Sequence, residues 1–203
     1  MLGLTISSLI SRIVVLITAF SVHEFAHAWT ADQFGDDTPR LNGRLTLNPL
    51  AHLDVMGSLM LLVAGFGWAK PVPVNPYALN RRSSSALMWV SLAGPLSNLL
   101  LAVLAAVPLR FNLVPQIYPT ANAVLPTAFS FLYEFLMINL LLMMFNLIPL
   151  APLDGDKIAD FLFPPAWQRA LQTIRPYGSV ILLVLLFVLP YVGLDIFGWL
   201  IWP

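Results

Sequence analysis

Apolar residues in this chain fall in long blocks separated by short polar or proline-containing breaks. A helix that spans a bilayer needs about 20 mostly apolar residues. Four blocks reach that length: 4–33, 84–109, 127–148 and 177–201. The first ends at "FGDD", where Gly35 suits a helix C-terminus; Ser83 is placed to N-cap the second. Gly94-Pro95 lies inside the second block and predicts a kink, Pro149 and Pro152 end the third, and Pro190 bends or splits the fourth. Residues 36–54 are polar, with proline and glycine, and read as an aqueous or interfacial loop. Residues 55–66 hold an apolar core of only about 12 residues, too short to cross, so they are expected to be re-entrant or interfacial. The stretch "WAKPVPVN" that follows is kept extended by its prolines.

These elements predict an all-α polytopic membrane protein. It has about four full transmembrane helices, a re-entrant or interfacial segment, and a small β element on the cytoplasmic side. No repeat and no appended soluble domain interrupts the pattern, so residues 1–203 are expected to form a single membrane-embedded domain. The opening stretch resembles a signal sequence, but its apolar run continues past any small-residue cleavage site, and we expect a retained helix.

Composition supports the same picture. Of the 203 residues, 59% are hydrophobic and 10% charged, against about 25% charged in a soluble domain. The net charge of zero gives no footprint for nucleic acid. The absence of cysteine excludes disulfides and thiolate metal sites. Eight of the ten Lys and Arg residues lie in 34–83 and 149–176, leaving Arg12 and Arg110 elsewhere. The positive-inside rule therefore places those two loops in the cytoplasm and the N-terminus outside. Residues 55–66 must then enter and leave on one side, as their length already demands.

The strongest polar cluster in an apolar block is "HEFAH", residues 23–27. On a helix, His23 and His27 share a face and reach one ion, with Glu24 beside the first ligand to meet a water. Zinc suits such a set and lowers the pKa of a bound water to about 7. His23 lies ten residues before Gln33, about 15 Å along the helix axis. The site is therefore expected within the hydrocarbon layer, nearer the cytoplasmic face. Ionisable groups there are costly and functional by default. Two histidines need a third ligand. The candidates are His52, Asp54, Glu134, Asp154 and Asp156. Residue placement prefers Asp154, in "PLDG" just past the third block, with Asp54 as the main rival; Glu134 is expected near the outer side. Asn139 is expected to make an interhelical hydrogen bond. A small metal- or proton-coupled transporter is the alternative class, but that reading predicts paired broken helices in internal repeats, and none is present.

Three ordered motifs resemble one family: "HEFAH", "AGPLSN" and "FNLIPLAPLDG". Together they are similar to the site-2 protease family of intramembrane zinc metalloproteases. The spacing of Asn146, Pro149, Asp154 and Gly155 is that of the family's N-x-x-P-x-x-x-x-D-G, and Gly94 and Asn98 match its G-x-x-x-N. The resemblance implies that His23, His27 and Asp154 bind one Zn2+ and that Glu24 is the general base. It implies that Asn98 and Asn146 hold substrate backbone or the oxyanion, with Gly94, Pro149 and Gly155 as motif support. The substrate it implies is a membrane protein cut within or near a transmembrane segment, in the lipid bilayer of a prokaryotic cell membrane. Neither a PDZ nor a CBS module is present, so a short catalytic core is expected. A locally unwound substrate needs a strand edge to pair with, and "WAKPVPVN" is a candidate, its remaining N–H groups expected to be free.

Overall fold

The computed structural model describes residues 5–57, 68–120 and 122–188. Three helices in it are long and apolar enough to cross a membrane: α1 (Ile6–Gln33), α4 (Ala86–Arg110) and α5 (Ala128–Asn146). Short helices lie between and after them: α2 (Thr38–Leu41), α3 (Pro76–Arg82), α6 (Asp154–Leu162), α7 (Pro165–Ile174) and α8 (Gly178–Leu183). Helix α4 is central and packs against α1, α5 and α6.

The ends of α1 follow from its sequence. Thr5 caps the start by accepting from the Ser8 N–H at 3.2 Å. At the other end Gly35 adopts φ +85°, its N–H bonds to Asp32 O and the Asp36 N–H bonds to Ala31 O, both at 3.0 Å. That is a Schellman closure, and a side chain would be strained at the left-handed glycine. Helix α5 starts on Thr127, which accepts from the Ser130 N–H at 3.2 Å. Helix α4 begins two residues later than expected, capped at Ser85, whose N–H is taken by Ser83 Oγ. It runs as one helix through Pro95 and Pro108.

Where α1, α3 and α4 meet, Ala31, Leu79, Ala86 and Val90 are buried together, with Phe34, Val74 and Leu87 packed against them. Small residues let the helices approach closely: Ala19, Ala28 and Ala31 on α1 and Ala86, Ala102 and Ala105 on α4 are all buried. Most of the remaining apolar surface of the long helices faces outward. Val14, Trp29, Trp89, Leu100, Val103 and Leu104 are exposed, as expected of helices whose outer faces meet lipid rather than water.

Two expected elements differ. Among the described residues there is no strand; the extended stretch makes a single antiparallel bridge, Ala69 with Leu53. The fourth expected span is described only as α8 and a π-helical turn, Val184–Val188. Its remainder lies outside the described residues, as do most of the expected re-entrant residues, beyond helical 55–57.

Candidate metal centre

Helix α1 presents His23 and His27 four residues apart on its inner face, both buried. The loop after α5 turns through a cis Ala151–Pro152 peptide bond and delivers Asp154 as the first residue of α6. Gly155 is needed there: a β-carbon would fall 2.5 Å from the Leu147 carbonyl group and closer still to Ile148 O. The loop thus folds back tightly enough to bring Asp154 to helix α1. The Nε2 atoms of His23 and His27 are 3.0 Å apart, and each lies 3.2 Å from Asp154 Oδ2.

This donor set fits zinc. A tetrahedral ion with bonds of about 2.0–2.1 Å separates its ligand atoms by roughly 3.3 Å, close to the three edges here. Gly94 supplies the space. A β-carbon at 94 would lie 2.6 Å from His23 Nε2 and nearer still to His27 Nε2, in the region an ion must enter.

Hydrogen bonds fix which ring nitrogens face the centre. His27 Nδ1 lies 2.6 Å from Val90 O. A carbonyl only accepts, so Nδ1 carries the proton and Nε2 is a free lone pair. For His23 the same result comes through a relay. Asn139 Nδ2 donates to Phe135 O at 2.8 Å, so its Oδ1 accepts from Asn98 Nδ2 at 3.0 Å. Asn98 Oδ1 is then left to accept from His23 Nδ1 at 2.6 Å. A backbone carbonyl on α5 thereby sets the direction of every bond up to the His23 ring on α1.

Glu24 is buried beside His23, and its Oε2 accepts from the Val72 N–H at 2.9 Å. The N–H groups of the extended stretch are therefore not all free as expected: Lys70 N–H bonds His52 O at 2.7 Å and Asn75 N–H bonds Asp36 Oδ2 at 2.6 Å.

The other ligand candidates are engaged elsewhere. His52 Nε2 bonds Thr46 O at 2.7 Å, and Asp54 accepts from the Gly57 N–H at 2.8 Å. Asp156 pairs with Arg175 at 2.9 Å, and Glu134 lies 3.7 Å from Arg12. Asn98 is fully buried with both ends of its amide taken by His23 and Asn139. Asn146, half-buried in the last turn of α5, donates to Leu142 O at 3.0 Å. Pro149 is exposed. Sequence reasoning missed the Val90 carbonyl and the Val72 N–H. The second had a signal, since Val72 lies between two prolines and owns the one donor of that triplet.

Comparison with known proteins finds a peptidase family and bacterial relatives. The family model described as peptidase family M50 matches residues 113–189, the part that carries Asn146 and Asp154. YwhC of Bacillus subtilis (strain 168), which bears the name of a candidate zinc metalloprotease, is 41% identical over 196 residues, 94% of this chain and 84% of that one. Rip2 of Mycobacterium tuberculosis (strain ATCC 25618 / H37Rv), with the same kind of name, is 34% identical over 192 residues, covering 92% of this chain and 70% of that one. Rip2 of Mycolicibacterium smegmatis is 36% identical over 176 residues, 84% and 64% of the two chains. No solved structure matches the chain at a significant level.

Proposed function

The chain belongs to peptidase family M50, the site-2 type zinc metalloproteases, and we propose that it cuts a membrane protein within or near a transmembrane segment. The observation that carries this reading is the convergence of His23 Nε2, His27 Nε2 and Asp154 Oδ2 beside a buried glutamate, on a helix apolar and long enough to cross a bilayer. The transporter alternative finds no support in the relatives.

His23, His27 and Asp154 would hold one zinc ion. When bound, zinc supplies Lewis-acid polarisation of the scissile carbonyl and acidifies water enough for deprotonation near neutral pH. Glu24 takes the proton of the attacking water and returns it to the leaving amine. Asn98 is assigned to holding the His23 ring instead of the oxyanion, because its Oδ1 and one amide N–H are engaged and the side chain is fully buried. Asn146, less buried, is the remaining candidate for contacting substrate or the oxyanion. Gly94 keeps room for the ion, and Gly155 lets Asp154 reach it.

The protein is an integral membrane protein. In our reading, residues 177–201 add a fourth span, the whole chain works as one catalytic domain, and the N-terminus lies outside, with the site nearer the cytoplasmic face. The bacterial relatives support a prokaryotic cell membrane. Glu24→Gln tests the base: zinc stays bound while cleavage of a transmembrane peptide falls by about 10²–10⁴-fold. A near wild-type rate would remove Glu24 from that role.

A further inference from the structure

The run Lys70-Pro71-Val72-Pro73-Val74-Asn75 forms a strap against the site. Proline has no N–H, so between Lys70 and Val74 the backbone owns one donor, that of Val72, and it points at Glu24 Oε2. The two prolines fix their own φ, and Lys70 and Val72, each preceding a proline, are steered to extended conformations. The strap is therefore stiff. It is also pinned at both ends. At the start, Lys70 N–H bonds His52 O, and buried Arg44 donates through Nη1 to Ala51 O and, at 3.3 Å, to Lys70 O. At the end, Asn75 N–H bonds Asp36, which is 1% exposed, and Val74 packs on the core cluster. Asp36 belongs to the closure of α1 itself, so the strap is tied back to the helix that carries Glu24.

We propose that residues 70–75 are a fixed wall of the active site in which the Val72 N–H positions Glu24, with Arg44 and Asp36 as its anchors. A backbone N–H to a carboxylate is a charge-assisted bond, roughly twice as strong as a neutral one. Holding Oε2 selects one side-chain conformation and leaves the other oxygen for proton transfer. Misplacement by about 1 Å costs on the order of 10² in rate. The proposal rests on the reading of Glu24 as the base.

Val72→Pro removes the donor while keeping the extended backbone. In the zinc-loaded, detergent-solubilised protein, kcat on a transmembrane peptide falls by about 10–100-fold, with KM and zinc content unchanged. Val72→Ala, which keeps the N–H, recovers activity to about a third of wild type or better. Arg44→Met gives the same kcat-specific loss in smaller measure. An unchanged kcat in Val72→Pro, or equal losses in Val72→Pro and Val72→Ala, would overturn the proposal. A second measurement needs no activity. In zinc-free protein, Val72→Pro lowers Tm in the wild-type background and adds nothing to Glu24→Ala; additive losses would overturn the bond. This cycle still reports on Val72 and Glu24 if Glu24→Gln retains cleavage, so a failed base assignment is told apart from a failed strap.

Discussion

The bundle holds two polar regions along the same helix, and they are built differently. Around His23, three elements engage both ring nitrogens of His23 and His27: Asn98 and Val90 on α4, Asn139 beyond them on α5, and Asp154 at the start of α6. Eleven residues earlier, about 16 Å along the axis, Arg12 and Glu134 face each other at 3.7 Å, and both are partly exposed. Here Glu134 Oε2 and the hydroxyls of Ser7 and Ser11 have no partner among the described residues. The first region orients its groups and the second only neutralises charge. An interhelical polar contact in a membrane is worth on average about 0.6 kcal/mol. Stability alone therefore does not account for the relay at His23, whereas a metal that needs both Nε2 lone pairs aimed at one point does.

This contrast can be broken at its strong end first. Gly94→Ala puts a β-carbon against both Nε2 atoms; zinc is lost from the purified protein and cleavage falls below detection, although helix propensity at 94 improves. Metal analysis of that variant beside wild type checks this. Asn98→Ala comes next. It leaves the ligands in place but frees the His23 ring, and zinc affinity drops by about 10–100-fold, read by competition with a chelator. Asn139→Ala moves in the same direction by less, since it acts through Asn98. At the weak end, Glu134→Gln changes zinc affinity by less than twofold, and its thermal stability stays within about 1 kcal/mol of wild type. An affinity loss there as large as that of Asn98→Ala would erase the distinction between the two regions.

What the sequence disclosed follows the same division. Helix α1 was readable because nothing breaks its apolar run and Gly35 can take the left-handed turn. His23 and His27 were readable because their spacing alone puts them on one face. The third ligand was not, on placement alone: spacing carries no distance across a loop, and Asp54 remained open until the resemblance, and then the Gly155 contact with residues 147 and 148, brought Asp154 in. Asn98 was visible as a motif residue, but its role depends on His23, 75 positions away. The extended stretch was legible as extended. Its bond to Glu24 was not, because the separation of 48 positions between Glu24 and Val72 sets no distance by itself. Among the described residues the expected β element is one bridge, and Pro71 and Pro73 remove donors that a ladder would need.

The central claim is that three side chains, 131 residues apart at their extremes, make one zinc site for hydrolysis inside the membrane. The most direct measurement takes purified protein in detergent, determines bound metal, and follows cleavage of a helical transmembrane peptide before and after chelation and zinc restoration. The account predicts one zinc per chain, lost together with activity in Asp154→Ala, and cleavage that stops on chelation and returns with zinc. Cleavage that persists after the metal is removed, or full zinc binding by Asp154→Ala, would contradict it.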